Sequence, residues 1–491
     1  MPLTCENLFS GIDCSIIGNG KVEVSGIAYR SDQVQPGDAF FCVVGLVTDG
    51  HSFAQDALDR GAKVLVVERK VYLADATDVT EVVVKDSRKA LALCSANFFD
   101  NPSCSFDLVG ITGTNGKTTT TYLVENVARY ARKKTGVIGT VGVRIGDVLE
   151  GVSRTTPESF DLQEIFSRMA AAQCEVVAME VSSHALDLER TWGTKFAVSA
   201  FTNLTQDHLD YHKTFEAYFE AKARFFSADY PAKRVISIDD AWGKELLRRC
   251  TEAGDNVVST GFDKSATIHP VEVEYGPAST TVTLEVAGES FTLTYPLVGK
   301  FNVENLMCAF GICKQLGIED ALIVEALKQV PPVPGRLQRV SAADGGFSVY
   351  VDYAHTPDAL EKAIASVKEV TSGNTLVVFG CGGNRDTSKR SIMGRAALNA
   401  DFAIVTSDNP RNEDPQAIIN DILPGMKGAP DRFEVEADRR SAIARSIALA
   451  KPGDSVIIAG KGHENYQIVG DKTLSFDDVV VATEELNRVF G

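Results

Sequence analysis

Residues 106–131, FDLVGITGTNGKTTTTYLVENVARYA, read as a strand, a glycine-broken loop and a helix in immediate succession. The strand is a short apolar run, and in the helix Leu123, Val124, Val127 and Ala128 share one face. Between them, Gly113 and Gly116 free the backbone to aim its N–H groups at one point, where the helix N-terminus adds its dipole. That arrangement suits a phosphate. Lys117 is placed to neutralise β- and γ-phosphates, and the Thr118 hydroxyl to face a magnesium ion. The stretch departs from the general loop GxxxxGK[ST], because Ile111 stands where the first glycine belongs. ATP as co-substrate and Mg²⁺ as cofactor are the expectations.

Outward from this loop, short β-branched runs alternate with helical periodicity, the pattern of an α/β protein. Upstream lie AFFCVVG (39–45), the helix-like FAQDALDRGA, the strands KVLVVE and EVVVK, and an amphipathic SRKALALCSANFF that runs into NPSCS. Downstream come EVVAMEVS, FAVSAFTNL and RVISID, then alternating strands over 268–295 and two helices to about Lys328. The prolines of PPVPGR (331–336) cannot continue a helix and mark a linker. FSVYVDYA, TLVVFGC, DFAIVTSD and DSVIIAGKG follow, separated by helical segments. A chain of 491 residues exceeds one core. Three α/β domains are expected, at 1–104, 105–334 and 335–491.

Composition narrows the function. Hydrophobic content of 44% and charged content of 23% suit a globular protein in water. A net charge of −17 argues against a nucleic-acid partner or an anionic membrane, although anionic small ligands can be held by local cations. The N-terminus has no basic start before an apolar run, and no uncharged apolar stretch reaches the roughly 18 residues that span a bilayer. Ten cysteines without a CxxC pair, mostly in apolar segments, read as reduced thiols of a cytoplasmic protein.

The γ-phosphate side needs a cation holder. EVVAME ends a strand on Glu180, a carboxylate suited to that task beside the loop. No Asn-Lys-x-Asp guanine reader occurs, which argues against a GTPase. FTNLTQDHLDYHKTFEAYFEAKARFF joins His208, Asp210 and His212 to a helix bearing Lys222, and this clustering favours metal binding over an isolated structural histidine.

TGTNGKTTT, EVSSHAL, FTNLTQDHLDYH, GKFNVEN, PGR, VDYAHTPDAL and FGCGGNRD, in that order, resemble the Mur ligase family across essentially the whole chain. The resemblance implies an N-terminal UDP-binding domain, a central P-loop ATPase and a C-terminal Rossmann-like domain for an incoming amino acid. It further implies a monomer in peptidoglycan-precursor synthesis, where ATP phosphorylates the terminal carboxylate of a UDP-N-acetylmuramoyl dipeptide. An amine then attacks the acyl phosphate, a reaction dominated by positioning and charge neutralisation. By motif position, Gly113, Thr114, Asn115, Gly116, Lys117, Thr118, Thr119, Asn302 and Asn305 would bind ATP, with Arg336 and Asp352 reaching it from the third domain. Lys117, Glu180, His208 and Lys222 would be catalytic. Thr118, Glu180, His208 and Lys222 would hold metal, the lysine as its N6-carboxy (carbamylated) form, an anion rather than a repelling cation. Tyr29, Ser31, Leu46, Val47, Thr48, Thr155, Thr156, Ser182, Leu188 and Arg190 would meet the UDP substrate. Here the chain departs from the pattern. Arg30, Ser31 and Asp32 reverse the usual Asp-Ser-Arg, and Leu188 stands where relatives often have Gln.

DNPRNEDP (408–415) bears on the amino acid added. A strand delivers Asp408, Asn409, Pro410 and Arg411 at a tight turn, and the planar fork of Arg411 can hold a carboxylate bidentately. Meso-diaminopimelate has a carboxylate at its far end and lysine does not. By resemblance, DNPR is the pattern of diaminopimelate-adding members, with Arg390, Gly460 and Glu464 as further contacts and Glu464 suited to the distal ammonium. Asn384 replaces the Asp of GGDRD, and Ser391 replaces a proline. Lysine addition is the nearest rival. A folylpolyglutamate synthase-like ligase is a more distant one, which should lack DNPR and the N-terminal UDP domain.

Overall fold

The computed structural model describes residues 3–45, 48–71, 78–152, 154–340 and 346–490. Three large sheets follow one another along the chain, with two further two-stranded ribbons, Leu3–Thr4 with Glu23–Val24 and Tyr466–Val469 with Lys472–Ser475. The first sheet runs Cys14–Ile17, Thr80–Val84, Val64–Val67, Ala39–Phe41, Ile27–Ala28 in spatial order, parallel except at Cys14–Ile17. The strand expected over 39–45 stops at Phe41, and Val44 forms only an isolated bridge to Asp49.

The second sheet has eleven strands. Its parallel middle sets Asp107–Thr112 between Val176–Glu180 on one side and Val198–Phe201 on the other. The chain leaves the first of these three strands, forms Thr135–Gly139, and returns to flank it twice, so the strand order reverses at residue 112. A crevice opens at such a reversal beyond the carboxyl ends of the strands. All five residues Leu108–Thr112 are buried, as a strand covered on both faces requires. Gly110 is needed there, because a Cβ would lie 2.7 Å from the Phe196 ring and closer still to Phe225. Antiparallel hairpins extend both edges, over Gly142–Glu150 and Ile268–Tyr295. The first had no counterpart in the sequence reading.

The third sheet is parallel except for the edge strand Gln338–Arg339. Its four central strands end at Asp352, Phe379, Val405 and Ala459, so the loops after them converge on one edge. Separate apolar clusters pack on the two faces of each sheet.

Candidate active site

The phosphate loop is built on two glycines with positive φ, +145° at Gly113 and +87° at Gly116. A side chain at Gly116 would collide with the Asn305 carboxamide oxygen. Asn305 lies on the helix Lys300–Gln315, which packs along the loop's own helix Lys117–Tyr130. Its Oδ1 accepts from Thr120 Oγ1 at 3.4 Å, and its Nδ2 donates to Asn302 Oδ1 at 3.2 Å. Thr114 and Asn115 donate their backbone N–H groups to Asn203 at 2.8 and 2.9 Å. Thr119 is buried beneath the loop.

Two lysines share one acceptor. Lys117 Nζ donates to Gly113 O at 2.9 Å and Thr114 O at 2.8 Å, while Lys222 Nζ donates to the same Gly113 O at 2.8 Å. Lys222 is 1% exposed, and burial, then the Lys117 ammonium, push its pKa well below the usual lysine value. Burial lowers Lys117 too, opposed by Glu180 and Asp207. Tyr218 stands one turn before Lys222 on the helix Phe215–Ala223. Its ring lies 4.6 Å from Lys222 Nζ, and its hydroxyl is 3.2 Å from Thr114 Oγ1.

Glu180 is buried at the end of its strand. Its Oε1 accepts from Thr118 Oγ1 at 2.9 Å and Thr140 N at 2.8 Å, and its Oε2 from Thr140 Oγ1 at 3.1 Å. Arg336 reaches in from the linker and donates to Thr118 Oγ1 at 2.8 Å. Asp352 does not meet that guanidinium directly; it accepts backbone N–H bonds from Leu337 and Ala354 at 2.7 and 2.8 Å and so fixes the residue after Arg336. Burial raises the Asp352 pKa, against the pull of Arg336. His208 has left-handed backbone, φ +53°, and its ring sits 4.8 Å from His184 and 6.2 Å from Tyr218. Burial pushes its pKa down to about 4. Among the described residues no three His, Cys, Asp or Glu side chains form a ligand group, so Thr118 and Glu180 touch while His208 and Lys222 connect through Tyr218.

A cavity of about 530 Å³ opens between the segment Gln206–Asp210 and the loops of the third sheet. Asp408, Asn409, Arg411, Gly460 and Glu464 line it, as does His208. Arg411 adopts φ +54° and its Nη1 donates to Gly383 O at 2.9 Å. Pro410, behind it, is buried. Glu464 Oε2 accepts from Asn409 Nδ2 at 2.8 Å and lies 3.3 Å from Nζ of the fully buried Lys461. Arg390 stands behind the residues that line this cavity. It begins the helix Arg390–Ala397 and is 2% exposed, its Nη2 on both Glu413 oxygens at 3.0 and 2.8 Å and its Nη1 on Asp421 at 2.8 Å. Arg385, exposed among the lining residues, offers the cavity a further guanidinium. Asn384 adopts φ +51°, which asparagine tolerates, and its Oδ1 accepts the Asn412 N–H at 3.1 Å.

On the other side of Glu180, Thr156 Oγ1 donates to Glu180 O at 2.9 Å and accepts from Ser182 N at 3.1 Å. Thr155 Oγ1 is 3.1 Å from Thr140 Oγ1. Arg190 donates to Thr156 O at 3.2 Å and pairs with Glu158 at 2.8 Å. Leu188 offers its carbonyl to Arg88 at 3.5 Å, a contact that needs no glutamine side chain. In the first domain, Tyr29 Oη donates to Asp161 Oδ2 at 2.8 Å across to the central domain. The exchanged Arg30 and Asp32 pair with each other at 2.7 Å on the surface, flanking Ser31. Thr48 O accepts from Gly45 N at 2.9 Å; Leu46 and Val47 lie outside the described residues. Thr140, Tyr218, Asp358 and Arg385 were not singled out in the sequence. Tyr218 carried a signal in its i,i+4 spacing to Lys222, and Asp358 and Arg385 lie within the stretches VDYAHTPDAL and FGCGGNRD.

Similarity to known proteins runs along the same three sheets. Residues 23–99 match the profile described as Mur ligase family, catalytic domain; residues 111–313 match the Mur ligase middle domain; residues 335–462 match the Mur ligase, glutamate ligase domain. The chain is 41% identical to the UDP-N-acetylmuramoyl-L-alanyl-D-glutamate–2,6-diaminopimelate ligase of Clostridium botulinum, over 98% of this chain and 99% of that one. It is 43% identical to the protein of that name from Syntrophomonas wolfei, over 94% and 95%. A solved structure titled as a ligase of the same name superposes with a TM-score of 0.72 at 31% identity, covering 100% of both chains. With a phosphate loop, a buried glutamate and a linker arginine meeting where these relatives align end to end, the chain belongs to the Mur ligase family.

Proposed function

We propose that this chain is the ATP-dependent ligase that joins meso-2,6-diaminopimelate to UDP-N-acetylmuramoyl-L-alanyl-D-glutamate. The observation that carries this reading is the cavity lined by Arg411, Arg385, Asn409 and Glu464 together with His208. Two guanidinium forks suit a substrate with carboxylates at both ends, and Glu464 suits the ammonium beside one of them. The family relationship and the relatives' names support the same substrate pair. We take the domains at 1–104, 105–334 and 335–491, working as a cytoplasmic monomer in which one chain supplies every wall.

The N–H groups of Gly116 and of the first turn of the helix Lys117–Tyr130, with the Lys117 ammonium, hold the ATP phosphates, and Asn302 and Asn305 brace the loop from behind. A carboxylate oxygen of the UDP-dipeptide attacks the γ-phosphorus and ADP leaves. Thr155, Thr156, Ser182 and Arg190 orient the dipeptide, while Arg336 stabilises negative charge at the transferring group. The diaminopimelate amine then attacks the acyl carbon, loses a proton, and phosphate departs as the amide forms. Glu180, buried among hydroxyl and N–H groups, offers the oxygen donors that a hard cation prefers. Thr118, Glu180, His208 and a carbamate on Lys222 would hold Mg²⁺, which neutralises the phosphoryl oxygens. The depressed pKa of Lys222 supports the carbamate, since only an uncharged amine adds CO₂. An unmodified Nζ in electron density of the nucleotide complex would contradict that assignment.

Phosphate release tests the function. It should require ATP, the UDP-dipeptide and diaminopimelate together. Release with ATP alone, undiminished when either substrate is omitted, would overturn the ligase reading.

A further inference from the structure

Asp358 has no part in the chemistry above, yet it joins the two halves of the site. It sits in the first turn of the helix Pro357–Glu369, and with Thr356 and Pro357 it walls the amino-acid cavity. Its Oδ2 accepts from Asn115 Nδ2 at 3.2 Å and from Thr205 Oγ1 at 3.0 Å. Asn115 Nδ2 also donates to Thr205 Oγ1 at 3.1 Å, which closes a triangle. The two donors belong to the central domain, one in the phosphate loop and one in the segment leading to His208. The acceptor belongs to the third domain. The backbones that carry both donors are fixed by bonds within the central domain. Thr205 N donates to Thr114 Oγ1 at 3.0 Å, Thr114 Oγ1 donates back to Thr205 O at 3.2 Å, and Asn115 N is fixed by Asn203.

We propose that Asp358 is a positioning residue that couples the phosphate loop to the amino-acid cavity. When phosphates order the loop, Asn115 presents its amide in the orientation that Asp358 accepts, and the start of the helix closes the cavity wall. A ligand shifts such an equilibrium only through contacts that differ between the two states. The Asp358 bonds are such contacts, since they exist only when the third domain lies against the loop. A charged acceptor makes them stronger than neutral ones. Because a single oxygen takes both donors, an asparagine carboxamide oxygen can replace it. The ion pair with Lys362 at 2.9 Å would then be lost without breaking the coupling.

Only the kinetic arm of the test rests on the ligase reading. Small-angle scattering with a saturating non-hydrolysable ATP analogue and Mg²⁺ should give a larger radius of gyration for Asp358→Ala than for wild type, with Asp358→Asn between the two. Thr205→Val, which keeps the backbone bonds to Thr114, should move in the direction of the alanine variant. In turnover, Asp358→Ala should raise the diaminopimelate KM about tenfold or more while the ATP KM changes by less than about threefold. Equal scattering curves for wild type, Asp358→Ala and Thr205→Val would overturn the coupling whatever the enzyme's activity. An asparagine variant as impaired as alanine would also overturn it, placing the charge directly on the substrate. A wild-type protein that opens and closes as described but forms no amide would instead sink the functional reading and leave the coupling standing.

Discussion

At the scale of single residues, the two arginines after GCGG show what a motif conveys and what it hides. Arg385 and Arg390 lie five positions apart, and the sequence reading gave the substrate contact to Arg390. Which one faces the cavity depends on where the following helix begins. It begins at Arg390, whose guanidinium turns inward to Glu413 and Asp421 and braces the turn that carries Arg411. The two variants should therefore differ in kind. Arg385→Ala should raise the diaminopimelate KM about tenfold or more with an unchanged melting temperature. Arg390→Ala removes a buried group with three charge-assisted bonds and should cost about 2 kcal/mol, a drop of several degrees in a thermal melt. Equal stability of the two variants would contradict this division. The places of Glu180, Lys222 and Arg411 in the fold, by contrast, were legible, because a strand end, a short helix and a turn are each set by local sequence.

At the scale of elements, the strand–loop–helix unit was readable because its signals are local: an apolar run, two glycines, then helical periodicity. The absent first glycine has no structural cost, since Ile111 is a fully buried strand residue before the turn begins. Gly116 is the position where the loop tolerates least. An alanine there would adopt a left-handed conformation costing about 1–2 kcal/mol and would meet the Asn305 oxygen as well. Gly116→Ala should raise the ATP KM by about tenfold or more while leaving UDP-dipeptide affinity close to wild type. Isothermal titration with each ligand separates the two, and unchanged ATP affinity would argue against the loop's assignment. The hairpin Gly142–Glu150 was illegible for the opposite reason. It is a short edge extension, and although Val143 and Ile145 alternate with Gly142 and Arg144, the run is brief and its last strand is wholly exposed.

At the scale of the whole molecule, three successive sheets were foreseeable from alternating periodicities, and so was the reach of Arg336, whereas contacts made by single side chains such as Asp358 and Tyr29 were not. Buried histidines near these contacts tie folding to pH. His212 is 8% exposed with its Nε2 2.9 Å from Ser183 Oγ, and burial, then His184, push it down to about 4. Burial and Arg336 push His463 down to about 4 as well. Unfolded, both titrate near 6.5, so between about pH 6.5 and 4 the unfolded chain binds more protons. Their contribution is complete above that window and is lost as pH falls through it, on the order of 2 kcal/mol from His212. His212→Asn should therefore flatten the acid side of a plot of melting temperature against pH; an unaltered slope would contradict the assignment. The central claim, amide formation with an amino acid bearing a carboxylate at each end, is tested most directly by offering meso-diaminopimelate and L-lysine together at equal concentration with ATP and UDP-N-acetylmuramoyl-L-alanyl-D-glutamate, then weighing the product by mass spectrometry. The account predicts the diaminopimelate adduct almost alone, with the preference lost in Arg411→Ala. A product made mainly of the lysine adduct would contradict it.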